Sequence, residues 1–294
     1  MTQAATVREL FWRKAVTFSH TVRIEQTVFT LPFAYLTLFL VEDGWPSGAL
    51  FGWITLAMAG ARTFGMAANR LIDAEIDARN PRTLGRELPS GLLKHRDILL
   101  FMTASMALFL VAVYRLSDWA GYTWPVAVGA LIFYHYMKRF TWTSHFGLGF
   151  IYGMVPTGVW LAATNELPWA PVLLAFGAGA WVTGFDTIYA TQDIEFDRKN
   201  GLHSIPARFG LARALQAAKL FHAATVAFIA AAGPLLHAGP LYYIGVGAFL
   251  GLLIYEHRLV STKDLSKVNM AFFNMNGIIS VAFLLFVVAD VFTR

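Results

Sequence analysis

Oxygen-bearing side chains recur at intervals of four residues in the stretch NRLIDAEID, which covers residues 69–77. The spacing of Asn69, Asp73 and Asp77 places side chains on one face of a helix, with about 5–6 Å between successive Cβ atoms. Carboxylates held this close repel one another, and a divalent cation removes that penalty. The chain has no Cys, which excludes disulfides and thiolate metal sites. Hard oxygen ligands without His favour Mg²⁺ or Ca²⁺ over zinc.

The acidic pattern occurs a second time further along the chain. Residues 61–80 align without gaps on residues 181–200, and the five identities in twenty include both spaced acids. Two such stripes facing each other would hold two or more ions bridged by a diphosphate, because Mg²⁺ takes most of its other ligands from water and phosphate. The repeat also indicates two similar four-helix halves of the same orientation. The second stretch contributes four candidate side chains, which are Asp186, Tyr189, Asp193 and Asp197.

Basic side chains follow both acidic stretches and favour phosphate as a partner of the bound ions. Arginine binds phosphate oxygens in a bidentate manner, although the basic character of cytoplasmic loops accounts for many of these residues by itself. Arg62 differs, because a charge inside an apolar helix is costly unless it is paired. We predict that Arg62 lines a pocket and binds phosphate or an anionic substrate. The other predicted substrate-binding residues are Arg82, Arg86, Lys138, Arg139 and Lys199.

The composition indicates that membrane helices carry these residues. Hydrophobic residues make up 57% of the 294 residues and charged residues 14%, where a soluble protein carries roughly 25% charge. A bilayer crossing needs about 20 mostly apolar residues. We therefore predict an all-α, polytopic membrane protein with a single domain over residues 1–294. The nine windows that qualify are 24–41, 49–68, 97–116, 119–137, 145–164, 168–189, 213–232, 239–257 and 270–290.

The distribution of basic residues predicts the orientation of these windows. Of the 23 Lys and Arg residues, 18 lie in the N-terminal segment and in the connections after windows two, four, six and eight, and Arg213 is the first residue of window seven. This asymmetry places the N-terminus and both acidic stretches in the cytoplasm. The net charge of +5 is then a consequence of topology, and we expect no nucleic-acid partner. The first 21 residues lack the apolar core of a cleavable signal peptide.

Other interpretations of the acidic stretches compete with a diphosphate site. Acids at a helix end are often solvated caps, but two copies in register, each followed by basic residues, favour a function. A cation-coupled transporter would use the same carboxylates to bind its ion, although the neighbouring arginines oppose the entry of a cation. A non-catalytic membrane scaffold gives no reason for paired acidic stretches.

At these residues the sequence resembles the UbiA superfamily of intramembrane aromatic prenyltransferases. The N-x-x-x-D-x-x-x-D motif of that family reads NRLIDAEID here, and its Y-x-x-x-D-x-x-x-D motif reads YATQDIEFD. The resemblance extends through Arg62, RTLGRELPSG, YMKRFT and MNGI, and so covers most of the chain. Two positions depart from the family pattern. Many members carry Asp where this chain has Arg70, and Pro where it has Glu87.

The resemblance implies nine helices around a central cavity and Mg²⁺-dependent transfer of a polyprenyl group from polyprenyl diphosphate to a small aromatic acceptor. The stretches RIEQTVFTLPFA and AFFNMNGIIS resemble the 4-hydroxybenzoate polyprenyltransferase branch. They also resemble enzymes of menaquinone synthesis, whose acceptor is a dihydroxynaphthoate. The implied location is the lipid bilayer of a bacterial inner membrane, with the active site facing the cytoplasm.

The resemblance also implies roles for individual residues. The basic side chains neutralise the leaving diphosphate, which is the kind of electrostatic effect that usually dominates catalysis. Asp186 or Asp193 activates the acceptor hydroxyl. Tyr189 orients the diphosphate or stabilises an allylic cation through its ring. The implied metal ligands are Asn69, Asp73, Asp77, Asp193 and Asp197.

Overall fold

All regular secondary structure in the described part of the chain is helical, which confirms the predicted all-α class. The computed structural model describes residues 12, 14, 16–18 and 27–294. Arg8, Arg13 and the first three residues of the first predicted window lie outside these residues. The helices are α1 (Thr27–Glu42), α2 (Gly48–Ile72), α3 (Ala74–Arg79), α4 (His95–Val113), α5 (Asp118–Met137), α6 (Ser144–Thr164), α7 (Trp169–Tyr189), α8 (Ile194–Lys199), α9 (Ile205–Phe209), α10 (Leu211–Leu235), α11 (Pro240–Leu259) and α12 (Asn276–Val291). A 3₁₀ turn, Ala190–Asp193, follows α7, and a π-helical segment, Met270–Met275, precedes α12.

Each of the nine predicted windows coincides with one of the long helices between residues 27 and 294. Pro32 lies inside α1 without ending it. Among the described residues, five helical segments are long and apolar enough to cross a membrane by length and composition, and α1, α2, α5 and α11 are not among them. The number of crossings therefore stays a prediction. The five segments are His95–Val113, Ser144–Thr164, Trp169–Lys199, Leu211–Leu235 and Met270–Val291.

Large aromatic side chains fill the space between α7, α11 and α12. Trp181, Tyr242, Phe249 and Phe283 are each at most 2% exposed. The rings of Phe249 and Phe283 meet edge to face with centroids 5.5 Å apart, a favoured aromatic geometry. Because lipid is as apolar as these rings, close packing holds such helices together. The close packing of α7, α11 and α12 therefore holds the residues at the ends of these helices in place.

Glycines bring α6 and α7 into close contact near the acidic stretches. A Cβ atom on Gly149 would lie 2.5 Å from the carbonyl oxygen of Gly179, so a larger residue at this position would push the helices apart. Small residues of this kind let the backbones of membrane helices approach each other. The contact holds the first turn of α6, which carries His145, against the last turns of α7, which carry Asp186.

Each acidic stretch contains a break in its helix at the central Asp. Asp73, with φ −95° and ψ 5°, separates α2 from α3. Asp193, with φ −105° and ψ 7°, ends the 3₁₀ turn before α8. The acidic stretches are therefore not uninterrupted helices, because both residues adopt the sparsely populated bridge conformation that is frequent in active sites. The matching breaks show that the repeat extends to the local backbone.

Candidate active site

The buried carboxylate of Asp73 is bound by residues of two helices. Its side chain is 2% exposed. Lys138, directly after α5, donates from Nζ to Oδ2 at 2.7 Å, and Asn69 donates from Nδ2 to the same oxygen at 2.9 Å. The guanidinium of Arg139 lies 3.7 Å from Oδ1 and donates to the carbonyl oxygen of Ile72. A buried charge is costly unless it is paired, and Lys138 provides that pairing here.

Arginines from the segment between α3 and α4 bind one acid of each stretch. Arg86 donates from Nη1 to Asp77 Oδ2 at 2.5 Å. Arg82 donates to both carboxylate oxygens of Asp193, at 3.0 and 2.5 Å, and to the hydroxyl of Tyr189 at 3.1 Å. Asn80 donates to Asp193 Oδ1 at 3.1 Å. The residues after the first stretch thus reach the second, and the two stretches meet at one end of the bundle.

The charge of Arg82 is fixed by its surroundings. Burial lowers the pKa of the guanidinium, but the hydrogen bond and the charge of Asp193 outweigh that effect, and the pKa is raised. Asp77 acts on Arg82 in the same direction. Arg82 is therefore a permanent cation between the two acidic stretches.

The other two acids of the second stretch have uncharged or titratable partners. Ser204 donates from Oγ to Asp197 Oδ2 at 2.9 Å. His145 Nδ1 lies 2.6 Å from Asp186 Oδ2, and His145 is 4% exposed. Within the described residues, Nε2 of His145 is buried and has no hydrogen-bond partner. A carboxylate paired with an imidazole at this distance can hold or move a proton.

Aromatic rings surround Tyr189, at the end of α7. The ring centroid of Phe272 lies 4.1 Å from that of Tyr189, and the centroid of Phe273 lies 5.8 Å away. Both phenylalanines belong to the π-helical segment, a rare conformation that is frequent at functional sites. Arg82 Cζ lies 5.3 Å from the Tyr189 centroid. Aromatic faces in this arrangement stabilise a positive charge.

The pairing of acids with cations changes the argument for a metal ion. The sequence suggested that the carboxylates repel one another, whereas Lys138, Arg86 and Arg82 neutralise three of them. In the part of the chain that the structure describes, no three His, Asp or Glu side chains form a ready-made metal site. Oδ1 of Asp73 is nevertheless buried and accepts no hydrogen bond there. Such oxygens suit Mg²⁺, which needs only one or two carboxylates when phosphate and water supply the rest.

An apolar cavity of about 230 Å³ lies between α1, α2, α4, α5 and α6. Arg62 lines it, with Nη1 at 3.4 Å from both Thr30 Oγ1 and the Tyr152 hydroxyl. Gly65 also lines the cavity. Its carbonyl oxygen lies 3.2 Å from His135 Nε2, and His135 Nδ1 lies 3.1 Å from Asn69 Nδ2, so this end of the cavity lies beside the first acidic stretch. The resemblance implied nine helices around a central cavity, whereas five of the described long helices enclose this space. Aromatic side chains fill the region between α7, α11 and α12 instead.

Comparison with known proteins identifies the family. The model of the UbiA prenyltransferase family matches residues 30–278. The chain belongs to this family. The 4-hydroxybenzoate octaprenyltransferase of Vibrio atlanticus (strain LGP32) is 28% identical over 267 residues, which cover 90% of this chain and 93% of the relative. The mitochondrial 4-hydroxybenzoate polyprenyltransferase of Drosophila pseudoobscura pseudoobscura is 33% identical over 162 residues, 55% of this chain and 40% of the relative.

Solved structures share the fold of this UbiA prenyltransferase. The apo structure of a UbiA homolog from Aeropyrum pernix K1 has a TM-score of 0.82 and 31% identity, and the match covers 91% of this chain and 98% of that chain. A UbiA homolog from Archaeoglobus fulgidus bound to GPP and Mg²⁺ has a TM-score of 0.72 and 20% identity, with 94% and 100% covered. Family membership and the apolar helices together make this chain an integral membrane protein.

The structure gathers most of the predicted residues of this UbiA prenyltransferase in one cluster. Lys199 is exposed at the end of α8 and forms no ion pair with any described residue. Sequence reasoning missed Asn80 and His145. Asn80 could have been identified from the sequence, because it matches Asn200 in the repeat. His145, a single His at the start of α6, has no characteristic spacing from other residues. The clustered residues are Asn69, Asp73, Asp77, Arg82, Arg86, Lys138, Arg139, Asp186, Tyr189, Asp193 and Asp197.

Proposed function

We propose that this chain transfers a polyprenyl group from polyprenyl diphosphate to an aromatic acceptor of the 4-hydroxybenzoate type, with Mg²⁺ as cofactor and diphosphate as product. The observation that carries the proposal is the cluster of carboxylates and cations at the polar end of an apolar cavity. The name of the Vibrio atlanticus relative and the GPP and Mg²⁺ of the Archaeoglobus fulgidus structure support it. A cation-coupled transporter has less support, because Lys138, Arg86 and Arg82 already occupy three of the acids that would bind its ion.

The acids and their basic partners form the diphosphate end of the site. Mg²⁺, when bound, supplies positive charge that stabilises the diphosphate as a leaving group. The cations that neutralise the acids can exchange carboxylate for phosphate oxygens, since both are bidentate partners of arginine. The proposed Mg²⁺-holding residues are Asp73, Asp77, Asp193 and Asp197, with Asn69 beside them. The proposed diphosphate-binding residues are Arg82, Arg86, Lys138, Arg139 and, with the least support, Lys199.

The transfer itself breaks the C–O bond of the donor and forms a C–C bond to the acceptor ring. The electron pair of the C–O bond leaves with the diphosphate, and the allylic cation that remains lies against the faces of Tyr189, Phe272 and Phe273. Asp186, oriented by His145, accepts the hydroxyl proton of the acceptor, which makes the ring electron-rich at the carbon beside that oxygen. After the C–C bond has formed, the ring carbon loses its proton to the released diphosphate and the ring recovers its aromaticity. Asp186 then returns the first proton to the oxygen.

Acceptor competition tests this function directly. Purified protein in lipid vesicles would receive Mg²⁺, a labelled polyprenyl diphosphate, 4-hydroxybenzoate and a dihydroxynaphthoate together. The expected result is prenylated 4-hydroxybenzoate with one diphosphate released per product. Prenylation of the naphthoate alone would show that the acceptor is the dihydroxynaphthoate of menaquinone synthesis. Ion-dependent solute uptake without diphosphate release would instead support the cation-coupled transporter.

Arg62 is the proposed anchor for the carboxylate of the acceptor. It is a cation in an apolar wall, and the hydroxyls of Thr30 and Tyr152 lie beside it. We expect Arg62→Met to lower kcat/KM for 4-hydroxybenzoate about 10- to 100-fold, since a hydrogen bond to a charged group contributes about 1.5–3 kcal/mol. The KM for polyprenyl diphosphate should stay unchanged. Phenol, which lacks the carboxylate, is the matched acceptor, and an equal loss with phenol would contradict the assignment.

The apolar cavity is the proposed site of the prenyl tail, and Gly158 tests it. Gly158 lines the cavity on α6, and a Cβ there would meet no atom within 4 Å. Gly158→Leu should fill part of this space and lower kcat/KM for a long-chain donor about 10-fold or more relative to geranyl diphosphate. Gly129→Leu is the control, because Gly129 on α5 is exposed like Gly158 and its Cβ also meets open space, but it does not line the cavity. An unchanged chain-length preference in Gly158→Leu would place the tail elsewhere.

The proposed setting is a bacterial inner membrane that the chain crosses nine times. The basic residues at the acidic end of the bundle support a cytoplasmic active site. A polyprenyl tail is as apolar as lipid, so a cavity within the bilayer receives it without transfer into water. The diphosphate stays hydrated at the cytoplasmic face until the basic residues bind it.

A further inference from the structure

Arg70 and Glu87, the two residues that depart from the family pattern, contact each other. Arg70 is 3% exposed, and its Nε lies 3.9 Å from Glu87 Oε2. Arg70 comes from the last turn of α2, whereas Glu87 lies in the segment between α3 and α4. Nη1 of Arg70 also donates to Oδ1 of Asn69 at 2.9 Å. Arg70 therefore contacts the first member of the first acidic stretch, and Glu87 is the ion-pair partner of Arg70.

These contacts determine which way the Asn69 amide faces. A guanidinium has only donors, so the atom that it contacts must be the amide oxygen. The amide nitrogen of Asn69 consequently faces Asp73 Oδ2, at 2.9 Å, and His135 Nδ1, at 3.1 Å. Nδ1 of His135 then accepts, and Nε2 carries the hydrogen that is donated to the carbonyl oxygen of Gly65 at 3.2 Å. The Asn69 amide nitrogen and His135 Nε2 then each face an acceptor, which is the criterion for assigning an amide orientation.

The network leaves one oxygen of Asp73 for a ligand. Oδ2 accepts from Asn69 and from Lys138. Oδ1 is buried and accepts no hydrogen bond in the described part of the chain, with Arg139 as its ion-pair partner at 3.7 Å. Fixing Oδ2 with two donors orients the whole carboxylate, and such supporting partners control how well a ligand binds metal.

We propose that the Arg70–Glu87 ion pair makes Asn69 a hydrogen-bond donor that orients Asp73, so that Asp73 Oδ1 faces the metal–diphosphate complex and Asn69 itself is not a metal ligand. This inference rests on the proposed function. Asn69, Arg70 and Glu87 are accordingly positioning residues, which act through Asp73.

The test compares two charge-neutral pair deletions by Mn²⁺ binding, with Mn²⁺ as the spectroscopic substitute for Mg²⁺. Arg70→Met/Glu87→Met removes the buried pair. Arg79→Met/Glu75→Met removes a neighbouring pair, with 3.8 Å between Nη2 and Oε2 and side chains 62% and 92% exposed. Free Mn²⁺ would be measured by electron paramagnetic resonance in the presence of inorganic diphosphate. We expect the Mn²⁺ Kd to rise about 10-fold or more in the first variant and to stay constant in the second.

Each outcome decides the inference. A first variant that binds Mn²⁺ as tightly as wild type, or more tightly because the Asn69 oxygen has been released, would overturn it. Equal weakening in both variants would also overturn it, because long-range charge would then be the cause. If the double Met variant does not fold, Arg70→Lys serves instead, because it keeps the charge and loses the planar fork. An unchanged Kd in folded Arg70→Lys counts against the inference. If wild-type protein binds no Mn²⁺ in the presence of inorganic diphosphate, the proposed function itself is contradicted.

Discussion

Asp73→Asn and Asp193→Asn should each lower the kcat of Mg²⁺-dependent prenyl transfer about 10²- to 10³-fold, as expected when a carboxylate that would hold Mg²⁺ on the leaving diphosphate is lost. The two substitutions keep the size of the side chain and remove one negative charge from each acidic stretch. At position 73 the negative charge that pairs with Lys138 is lost, and at position 193 the amide keeps only one of the two oxygens to which Arg82 donates. The rate of diphosphate release at saturating Mg²⁺ and donor measures the effect. Thermal unfolding of each variant must confirm that the protein is folded.

Glu75 and Glu195 provide matched controls within the same two stretches. The side chain of Glu75 is 92% exposed, and Glu195 is exposed as well. Glu75→Gln and Glu195→Gln remove the same charge at equivalent positions of the repeat and should leave kcat within about twofold, since exposed pairs contribute little. Wild-type rates in both Asp variants would contradict the assignment of Asp73 and Asp193 to the active site. Equal losses in all four variants would show that the rate depends only on the total negative charge of the two stretches.

The positions of the helices followed from the sequence because the membrane imposes a simple rule. Backbone groups inside a bilayer must bond within their own segment, so long apolar stretches become helices. Pro32 did not disturb this, since α1 continues through it. The breaks at Asp73 and Asp193 could not be read in the same way. The neighbours of both residues are compatible with a continuous helix, so no local sequence signal marks the break. The contacts of Asp73 with Lys138 and of Asp193 with Arg82 appear only in the structure.

The acids of the site were predictable, and their partners were not. A spacing of four residues and a repeat identify Asp73 and Asp193 without any knowledge of the fold. The expectation of repelling carboxylates failed because Lys138 approaches from α5, 65 positions away along the chain. His145 reaches Asp186 across a contact between two helices. Such pairs depend on helix packing, which local sequence patterns do not encode.

The two departures from the family pattern show a further limit of sequence reasoning. Arg70 read alone places a positive charge inside the first acidic stretch. Glu87 read alone places a negative charge in a loop. In the structure the two side chains lie 3.9 Å apart, and Arg70 also donates to Asn69. Neither contact can be recognised from the two residues taken separately.

Replacement of Arg82 should separate the shape of this side chain from its charge. Arg82 bridges Asp193 and the Tyr189 hydroxyl with three nitrogens, and its raised pKa keeps it charged. Lysine offers a point charge without a planar fork. We expect Arg82→Ala to lower kcat about 10²- to 10³-fold and Arg82→Lys to recover only part of that loss. The loss should be independent of pH, because the guanidinium does not titrate in the range where the enzyme can be assayed.

Arg79→Lys is the matched control for Arg82→Lys. Arg79 lies three residues earlier, its side chain is 62% exposed, and it pairs with the exposed Glu75. The rate should be unchanged in that variant. Single-turnover measurement of diphosphate release would locate the effect of Arg82→Lys in the cleavage step, where charge builds on the leaving group. Full activity in Arg82→Lys would mean that charge alone is needed at this position. A defect confined to KM for the aromatic acceptor would move Arg82 away from the diphosphate and into the acceptor pocket, because Tyr189 would then be its functional partner.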